Sequence, residues 1–584
     1  MDELITFPRD LQVNVWINQI GYLPWASKKI VAPASENKKF QVIQIESGKE
    51  VLCGDLNVSN CDFGKFGIGD FSRITIPGTY YIKIDKYQRS YPFRINRNIY
   101  DSAMQTIVEY FSRQRCGAST TGYLAPCHLD DGIRLDNGKH QDVTGGWHDA
   151  SDLRKWVGAT IYGMIGLARL REKLRPNWDN GQIIDELRWG NRYFLNMQEP
   201  AGYVMSHVGG DALKHGDSNR WTDNIIGEES GTVRTIKPLS GGSSGEITIV
   251  GDKDDRVIQT RPLDPTGQYC FIIAESAMAY LTKQDDPIYS EKCLTSAIRC
   301  FDWCNQSVKN DNVGQIGSAM EASIGLFKVT GEEKYLNFAI DYARKLSSLQ
   351  VKEPIDKDIK IRGFYLRSDT DATPYLDIWH GCWHLIALCE LIEMLPEHPD
   401  SLQWKESVAL YARDYLYAMS QRNSFGIVPF GFFSGENPGG DRRIGNYWYR
   451  YFMKPTDGWW VGINANLASA GVGLVKASKV LQDCNLLSIA QRQLDWILGF
   501  NPHGSSTIEG IGYNQPKQFV NGNEFRPATP RIRGAVMNGI GGTIDDMPDL
   551  YDGSYNTAEY WTPMVAYTLW LMSELSSYNN ISPI

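Results

Sequence analysis

Features that would indicate a membrane, nucleic acid or a metal are missing from these 584 residues. No apolar run is long enough to cross a membrane, so a membrane span is not expected. Basic residues form no blocks and the net charge is −9, which argues against nucleic acid as a partner. No two cysteines have the CxxC spacing of a metal site, and the sequence predicts no metal ion.

Signs of export are also sparse. The first 25 residues show neither the basic nor the apolar segment of a signal peptide. We expect a periplasmic or secreted protein whose signal peptide has been removed, with a cytoplasmic protein as the alternative. The 11 cysteines are an odd number and most are interpreted as small buried residues, with Cys116–Cys127 or Cys53–Cys61 as disulfide candidates.

Aromatic residues, in contrast, are plentiful. They make up 12% of the chain, with 17 tryptophans and 30 tyrosines. Many belong to the core, but this number leaves some to line a surface that stacks on flat apolar faces, such as those of sugars.

The amino-terminal part, residues 1–97, has the pattern of a β domain. Short and largely alternating runs, separated by turn signals, are typical of an immunoglobulin-like β-sandwich. The predicted strands are 13–17, 29–32, 40–43, 72–76, 80–84 and 91–95. These residues contain no cluster of catalytic side chains, so we expect a structural or interaction role.

Residues 98–584 have a helical pattern, with twelve predicted helices that alternate in character. Even-numbered helices are apolar on most faces and odd-numbered helices are amphipathic, which predicts an α/α barrel of six hairpins with buried inner helices. The predicted helices are 99–116, 152–173, 182–198, 266–284, 289–309, 315–330, 332–350, 377–395, 402–420, 461–481, 486–499 and 557–577.

The loops of this domain also alternate, since nearly every connection from an odd to an even helix is long. In a six-hairpin barrel these connections all emerge at one end, and long loops in a compact domain are usually functional. The long loops are 117–151, 199–265, 351–376, 421–458 and 500–556. We therefore expect the functional site at that end.

The first long loop ends in residues 145–156, GGWHDASDLRKW. Asp149 and Asp152 are placed at the start of the second predicted helix, with Ser151 or Asp152 as its N-cap. A helix N-terminus favours ionised carboxylates, which suits a general base acting on water. The alternative is that Asp152 only caps the helix and Asp149 is a solvated loop residue.

A third acid, Glu559, is placed at the start of the twelfth predicted helix. In a closed ring the first and sixth hairpins are neighbours, so Glu559 can face Asp149 and Asp152 across the barrel mouth. Tyr560 and Trp561 offer an apolar environment that favours a protonated carboxyl group, as a general acid requires. The helix N-terminus favours the ionised form, and the sequence does not decide between the two effects. The alternative is a glutamate in a first helical turn that stabilises its helix.

Several segments resemble glycoside hydrolase family 9 with its amino-terminal immunoglobulin-like domain. They are NQIGYLP at 18–24, DFS at 70–72, PGTY at 77–80, RCG at 115–117, CH at 127–128, DVTGGWHDASD at 142–152 and GFNPHG at 499–504. The resemblance implies an inverting hydrolase of β-1,4-linked glucans. It implies that Asp152 is the general base, that Asp149 helps to hold the water and that Glu559 is the general acid. The base and the acid form the pair of carboxyl groups that an inverting mechanism uses.

The sequence departs from the family pattern near the sugar-binding positions. His148 replaces the usual tyrosine, Ser151 replaces the usual glycine, and residues 525–533 show no clear histidine–arginine pair. The residues expected to bind substrate are Trp147, His148, His215, Trp221, Trp379, Arg526, Tyr560 and Trp561. Trp379-His380 and Trp383-His384 fit a sugar platform or the core equally well.

No cofactor is expected to be required for this chemistry. Structural calcium is possible at two groups of aspartates, 130–142 and 252–255, although neither has the pattern of a calcium loop. The expected partner is a polysaccharide or oligosaccharide substrate, and the sequence does not indicate an oligomeric state.

The favoured function is internal cleavage of a β-1,4-glucan, as by an endoglucanase. One alternative is exo-action as a β-glucosidase or exo-β-glucosaminidase, because the long loops 199–265 and 500–556 could close one end of the groove. A second is a sugar-binding protein that has lost catalysis. A barrel-type lyase or epimerase is a distant third, since those enzymes rely on tyrosine and histidine rather than on three carboxylates.

Overall fold

The computed structural model describes most of the chain. The described residues are 12–34, 36–86, 88–124, 126–151, 153–173, 181–209, 233–236, 247–250, 256–455, 458–520 and 530–578. They form an amino-terminal β domain followed by a helical domain, as the sequence predicts.

The amino-terminal domain is an immunoglobulin-like sandwich of short strands. They are β1 Gln12–Val13, β2 Gly21–Tyr22, β3 Lys29–Ala32, β4 Lys38–Gln44, β5 Glu50–Cys61, β6 Gly64–Asp70, β7 Gly78–Lys83, β8 Gln88–Arg89 and β9 Phe93–Ile95. Alternate side chains of β4, such as Phe40 and Val42, are buried in the core. β5 joins the two layers because its first half pairs with β4 and its second half with β6.

Three details of the predicted strands are wrong. The predicted strand 13–17 is reduced to β1 Gln12–Val13 and an isolated bridge between Trp16 and Val31. Residues 72–76 form turns and not a strand, and the amide of Ile74 donates to the carbonyl of Phe71. β5 and β6 were not predicted at all. Most of their side chains are at least partly exposed, so they lack the alternation on which a strand prediction depends.

The turn between β5 and β6 fastens the sandwich to the helical domain. Phe63 is buried, with its ring 4.8 Å from that of Tyr451. The carboxylate of Asp62 accepts hydrogen bonds from the hydroxyls of Tyr449 and Tyr451 at 2.8 and 2.9 Å. Arg442 donates to the carbonyl of Asp62 at 2.6 Å. The domains are therefore joined by a packed aromatic contact surrounded by hydrogen bonds.

Phe63→Ala should lower the free energy of unfolding by about 3–5 kcal/mol, since it empties a buried aromatic site. Differential scanning calorimetry should show a lower melting temperature than for the wild type. Ile76→Ala is the matched control, because Ile76 belongs to the same domain and is 67% exposed. Equal melting temperatures for the two variants would show that this contact does not stabilise the protein.

Twelve helices of at least 12 residues each are present among the described residues. They are α1 Asp101–Arg113, α2 Val157–Lys173, α3 Gln182–Asn196, α4 Pro265–Thr282, α5 Pro287–Ser307, α6 Val313–Thr330, α7 Glu333–Ser348, α8 Trp383–Met394, α9, α10 Asn464–Leu481, α11 Cys484–Ile497 and α12 Thr562–Ser577. α9 comprises Ser401–Ala409, a π-helical segment Leu410–Tyr417 and Ala418–Ser420.

The even-numbered helices form a closed inner ring. Each packs on the next in the order α2, α4, α6, α8, α10 and α12, and α12 packs back on α2. Nearly all residues of α2 and α12 are buried, whereas α3 and α7 each have an exposed face. The predicted α/α barrel with inner and outer helices is therefore confirmed.

The loops of the barrel carry the remaining strands. They are β10 Ile133–Arg134, β11 Lys155–Trp156, β12 Met205–Val208, β13 Val233–Ile236, β14 Ile247–Val250, β15 Val257–Pro262, β16 Gly431–Phe433, β17 Arg443–Ile444, β18 Tyr447–Arg450, β19 Gly541–Gly542 and β20 Pro548–Asp549. A short helical turn, Tyr555–Ala558, precedes α12. Within the described part of the chain, no helix has the length and apolarity that a membrane span requires.

Candidate active site

A cavity of about 630 Å³ lies where the inner helices begin. All five predicted long loops, or the residues directly after them, contribute to its wall. The cavity therefore lies at the end of the barrel where the loop lengths predict the functional site. Its lining comprises Asp149, Ala150, Trp156, Gly158, Ala159, Ser206, Arg261, Pro262, Leu263, Asp264, Trp379, Trp459, Val461, Asn538, Glu559 and Trp561.

Asp149 and Glu559 line this cavity together, although 410 positions separate them in the chain. The indole nitrogen of Trp561 donates to Asp149 Oδ2 at 3.1 Å. The amide and hydroxyl of Thr562 both donate to the carbonyl of Asp149, at 3.0 and 2.9 Å. The loop that ends the first long connection is thus fastened to the start of α12, as expected for neighbouring hairpins in a closed ring.

Glu559 lies in extended backbone between the turn Tyr555–Ala558 and α12. Its carbonyl accepts a hydrogen bond from the amide of Asn538 at 2.8 Å, and its Oε1 accepts one from the hydroxyl of Ser151. The prediction that Glu559 stands inside the twelfth helix is wrong. Because Glu559 is not in the first turn of a helix, the alternative role of stabilising that helix is excluded.

The predicted start of the second helix is also wrong. α2 begins at Val157, because Lys155 and Trp156 form β11 and pair with β12. Asp149 therefore does not lie at a helix N-terminus, and the argument that a helix dipole keeps it ionised does not hold. Asp152 lies outside the described residues.

A buried ion cluster holds β11 in place. The ammonium of Lys155 is 2.7 Å from Asp131 Oδ2 and donates to the carbonyl of Val143 at 2.7 Å. Arg256 Nε lies 3.1 Å from Asp131 Oδ1. The next residue, Trp156, stacks on His207 of β12 with the ring centroids 3.7 Å apart. One wall of the cavity is thus a small sheet fastened by a paired buried carboxylate.

Three indoles also line the cavity. Trp561 lies between Trp379 and Trp459, with ring centroids 4.7 and 5.6 Å away. Trp459 is 49% exposed at the rim, a position open to a sugar ring. The sequence analysis missed Trp459, although two adjacent tryptophans at the end of a long loop were a usable signal. Trp383 is buried in the core, so of the two tryptophans with alternative roles only Trp379 faces the cavity.

Asp377 positions the segment that carries Trp379. Its carboxylate accepts hydrogen bonds from the amides of His380 and Gly381 at 2.9 and 2.7 Å. The hydroxyl of Tyr162, on α2, donates to the carbonyl of His380 at 2.9 Å. The platform is therefore held by backbone hydrogen bonds and does not depend on its own stacking alone.

The model of glycosyl hydrolase family 9 matches residues 100–571, and the model of the cellulase N-terminal ig-like domain matches residues 10–89. The chain belongs to glycosyl hydrolase family 9. Among curated proteins it is 33% identical to a cellodextrinase of Butyrivibrio fibrisolvens over 93% of this chain and 90% of that one. It is 23% identical to endoglucanase D of Acetivibrio thermocellus over 97% of this chain and 84% of that one.

Solved structures of the family share the fold. A metagenome-derived family 9 endoglucanase superposes with a TM-score of 0.69 at 19% identity, covering 96% of this chain and 99% of that one. A single mutant of a thermostable endoglucanase from Alicyclobacillus acidocaldarius superposes with a TM-score of 0.67 at 18% identity, covering 97% and 100%. At this identity the likeness establishes the two-domain fold of this family 9 enzyme.

Three predicted substrate-binding residues of the enzyme do not line the catalytic cavity. Trp147 is fully buried, and its indole nitrogen donates to Glu186 at 2.7 Å. His148 is also fully buried, and Tyr560 packs on Tyr110 with the rings 5.7 Å apart. The backbone directs these side chains into the core, whereas the neighbouring Asp149 and Trp561 face the cavity. The other predicted positions, His215, Trp221 and Arg526, lie outside the described residues.

His148 belongs instead to a buried group of four possible metal ligands. One donor atom each from Cys116, Cys127, His128 and His148 lies within 4.8 Å of all the others. Two thiols and two imidazoles are the donor set of many structural zinc sites. Sequence reasoning missed this group because the first and last ligands lie 32 positions apart, and the only adjacent pair is Cys127-His128.

The charge state of these ligands suits a cation. Burial raises the pKa of the Cys116 thiol, but a hydrogen bond from Cys127 and the nearby Lys155 ammonium outweigh it and bring the pKa well below its usual value. Burial lowers the pKa of His148, which favours the neutral imidazole that binds metals. Cys116 and Cys127 are free thiols, as are Cys53 and Cys61, so neither predicted disulfide is present.

The predicted calcium ligands have other partners. Asp131 pairs with Lys155 and Arg256, and Asp136 accepts two hydrogen bonds from Arg134. Asp142 accepts from the hydroxyl of Thr144. These carboxylates are already paired with side chains of the protein, and residues 252–255 lie outside the described part of the chain.

We expect the purified enzyme to contain about one zinc ion per chain and to lose stability when the ion is removed. Elemental analysis should detect zinc, and a chelator should lower the melting temperature. Cys116→Ser should release the metal, whereas the exposed Cys484→Ser should retain it. A metal-free protein with an oxidised Cys116–Cys127 pair, seen by mass spectrometry, would contradict this expectation.

Proposed function

We propose that this family 9 hydrolase cleaves internal β-1,4-glucosidic bonds of a glucan with inversion at the anomeric carbon. The observation that carries the proposal is that Asp149 and Glu559 share a cavity walled by indoles. Carboxyl groups supply the acid and base of glycoside hydrolysis, and indoles stack on the apolar faces of sugar rings. The names of the two relatives, an endoglucanase and a cellodextrinase, support the same chemistry.

In the proposed mechanism Glu559 is the general acid and donates its proton to the glycosidic oxygen. Asp152 takes a proton from the attacking water, and Asp149 helps to hold that water. The Trp561 indole that donates to Asp149 Oδ2 also contacts Trp379, so the sugar platform and the carboxylate are fixed relative to each other. This arrangement orients the reacting bond before the proton moves. No cofactor is needed, since the two carboxyl groups supply the acid and the base.

Two further points belong to the proposal. The substrate is a polysaccharide or oligosaccharide, and no nucleic acid is involved. We place the enzyme in the periplasm or outside the cell, where a glucan polymer is accessible. Fractionation of cells that express the gene, with immunodetection of the protein, tests the location.

Viscosity measurements on a soluble β-1,4-glucan test internal cleavage. We expect a rapid fall in viscosity with few new reducing ends, together with α-anomeric products by NMR, as inversion of a β-linkage requires. Short cellodextrins should be assayed in parallel because one relative is named a cellodextrinase. Release of single sugars with nearly unchanged viscosity would contradict internal cleavage and favour exo-action.

A further inference from the structure

Ser151 connects the aspartate motif to the proposed general acid. Its hydroxyl donates a hydrogen bond to Glu559 Oε1, joining the first and last long loops of the barrel. Ser151 is only 2% exposed, whereas Glu559 is partly exposed to the cavity, so the contact is shielded from water on the serine side. The glycine that is usual at this position in the family pattern has no hydroxyl, which makes the contact a feature of this chain.

The contact restrains Glu559 at its side chain. The amide of Asn538 already holds the carbonyl of Glu559 at 2.8 Å, so the residue is fixed at its backbone as well. Because Oε1 accepts from Ser151, the transferable proton belongs on Oε2. A carboxyl group with one oxygen engaged presents its proton from a defined position, which proton transfer to a bound substrate requires.

The same bond favours the charge that develops during the reaction. When the glycosidic oxygen takes the proton from Oε2, Glu559 becomes a carboxylate and the serine keeps its own proton. A hydroxyl donor stabilises a carboxylate more than a neutral acid, so the bond strengthens toward the transition state. It also stabilises the ionised form of the free enzyme and should bring the basic limb of the pH profile to lower pH.

Other groups near Glu559 act on its ionisation too. Asp149 lines the same cavity, and Tyr110 interacts electrostatically with Glu559. A separate cavity of about 20 Å³, lined by Ser151 and Glu559, is also lined by Glu509 and Arg531, which form an ion pair at 3.1 Å. Tyr560 also interacts electrostatically with Glu559. A substitution at Ser151 leaves all of these side chains in the sequence.

We propose that Ser151 is a positioning residue for the general acid, holding one carboxyl oxygen of Glu559 and stabilising its carboxylate as the proton leaves. The proposal rests on the proposed function, in which Glu559 is the acid. It assigns to Ser151 an effect on protonation of the leaving group and no direct contact with the substrate.

The pH dependence of kcat/KM for Ser151→Ala, with Ser151→Thr as the variant that retains a hydroxyl, tests the proposal. Ser151→Ala should move the basic limb up by about one pH unit, because the carboxyl group then keeps its proton to higher pH. Its kcat on a soluble glucan should fall roughly tenfold, a part of what general acid catalysis contributes. Its kcat on dinitrophenyl cellobioside should stay near the wild-type value, since that leaving group needs no proton.

The outcomes separate this proposal from the function on which it rests. If Glu559→Gln abolishes the basic limb while Ser151→Ala leaves it unshifted or moves it down, Ser151 does not position the acid. Equal losses on both substrates would assign Ser151 a purely structural role and overturn the proposal. If Glu559→Gln keeps the basic limb, the assignment of the acid itself fails. If Ser151→Ala is too unstable to assay, Ser151→Gly replaces it as an independent variant without the hydroxyl.

Discussion

Glu559→Gln should produce a folded enzyme that cleaves β-glucan roughly 10²–10⁴-fold more slowly, because the departing sugar is no longer protonated. An amide is close in size to a carboxyl group and can still accept the hydrogen bond from Ser151, so the geometry of the site is preserved. Dinitrophenyl cellobioside should still be hydrolysed, since its leaving group is stable as an anion. The measurement is kcat on both substrates.

Glu509→Gln is the matched control for this experiment. Glu509 carries the same functional group and lines the small cavity next to Glu559, but it does not line the catalytic cavity. We therefore expect near wild-type activity on both substrates. A Glu559→Gln variant that loses both activities equally would show that Glu559 has some role other than protonating the leaving group.

Asp152→Asn should reduce turnover by several orders of magnitude on both substrates. The attacking water needs a base whatever the leaving group is, so a good leaving group cannot compensate for its loss. Glu559→Gln, in contrast, should lose activity on the glucan alone, so the two assays together distinguish acid from base. Retention of more than about a tenth of the wild-type activity would contradict the assignment of the base.

Two further variants compare the effect of Asp152→Asn with that of substitutions at nearby aspartates. Asp149→Asn should retain more activity than Asp152→Asn, since Asp149 is proposed to hold the water and not to accept its proton. Asp142→Asn, on the exposed part of the same loop, should be nearly as active as the wild type. Circular dichroism should confirm that each variant is folded.

The barrel could be predicted because the pattern of apolar and polar residues that indicates it lies within each single helix. A helix buried on every side, such as α2 or α12, must be apolar on every side, and an outer helix must carry a polar face. The order of these patterns and the lengths of the loops placed the site at one end of the barrel. Asp149 and Glu559, with Trp561 beside Glu559, were expected to lie together for the same reason, and they line one cavity. The pattern left Trp379 between the core and a sugar platform.

The starts of the inner helices were less predictable. α2, α8 and α12 begin five or six residues after their predicted starts, at Val157, Trp383 and Thr562. The intervening residues include apolar and aromatic side chains, such as Leu153, Ile378 and Trp561, that fit a helical pattern. Their backbone is used elsewhere, as in β11, which pairs with β12, and in the carbonyl of Glu559, which accepts from Asn538.

The role of each residue in this motif depends on the direction in which its side chain points. Trp147, His148 and Asp149 are consecutive, yet Trp147 packs in the core, His148 joins the Cys–His group and only Asp149 faces the cavity. A positive φ at Gly145 and Gly146 shows that the preceding turn follows an unusual path. Spacing along the chain does not reveal which way each side chain points from such a turn.

The sequence by itself determined the domain order, the alternation of inner and outer helices, the family and two described acids of the site, because burial pattern and motif are properties of short segments. Tertiary structure alone decided the Cys–His group, the indole of Trp459 and the contact from Ser151 to Glu559. Each of these joins or faces segments that are distant in the chain. Closure of the ring brings Ser151 within hydrogen-bonding distance of Glu559, and the path of residues 116–148 brings the cysteines and histidines together.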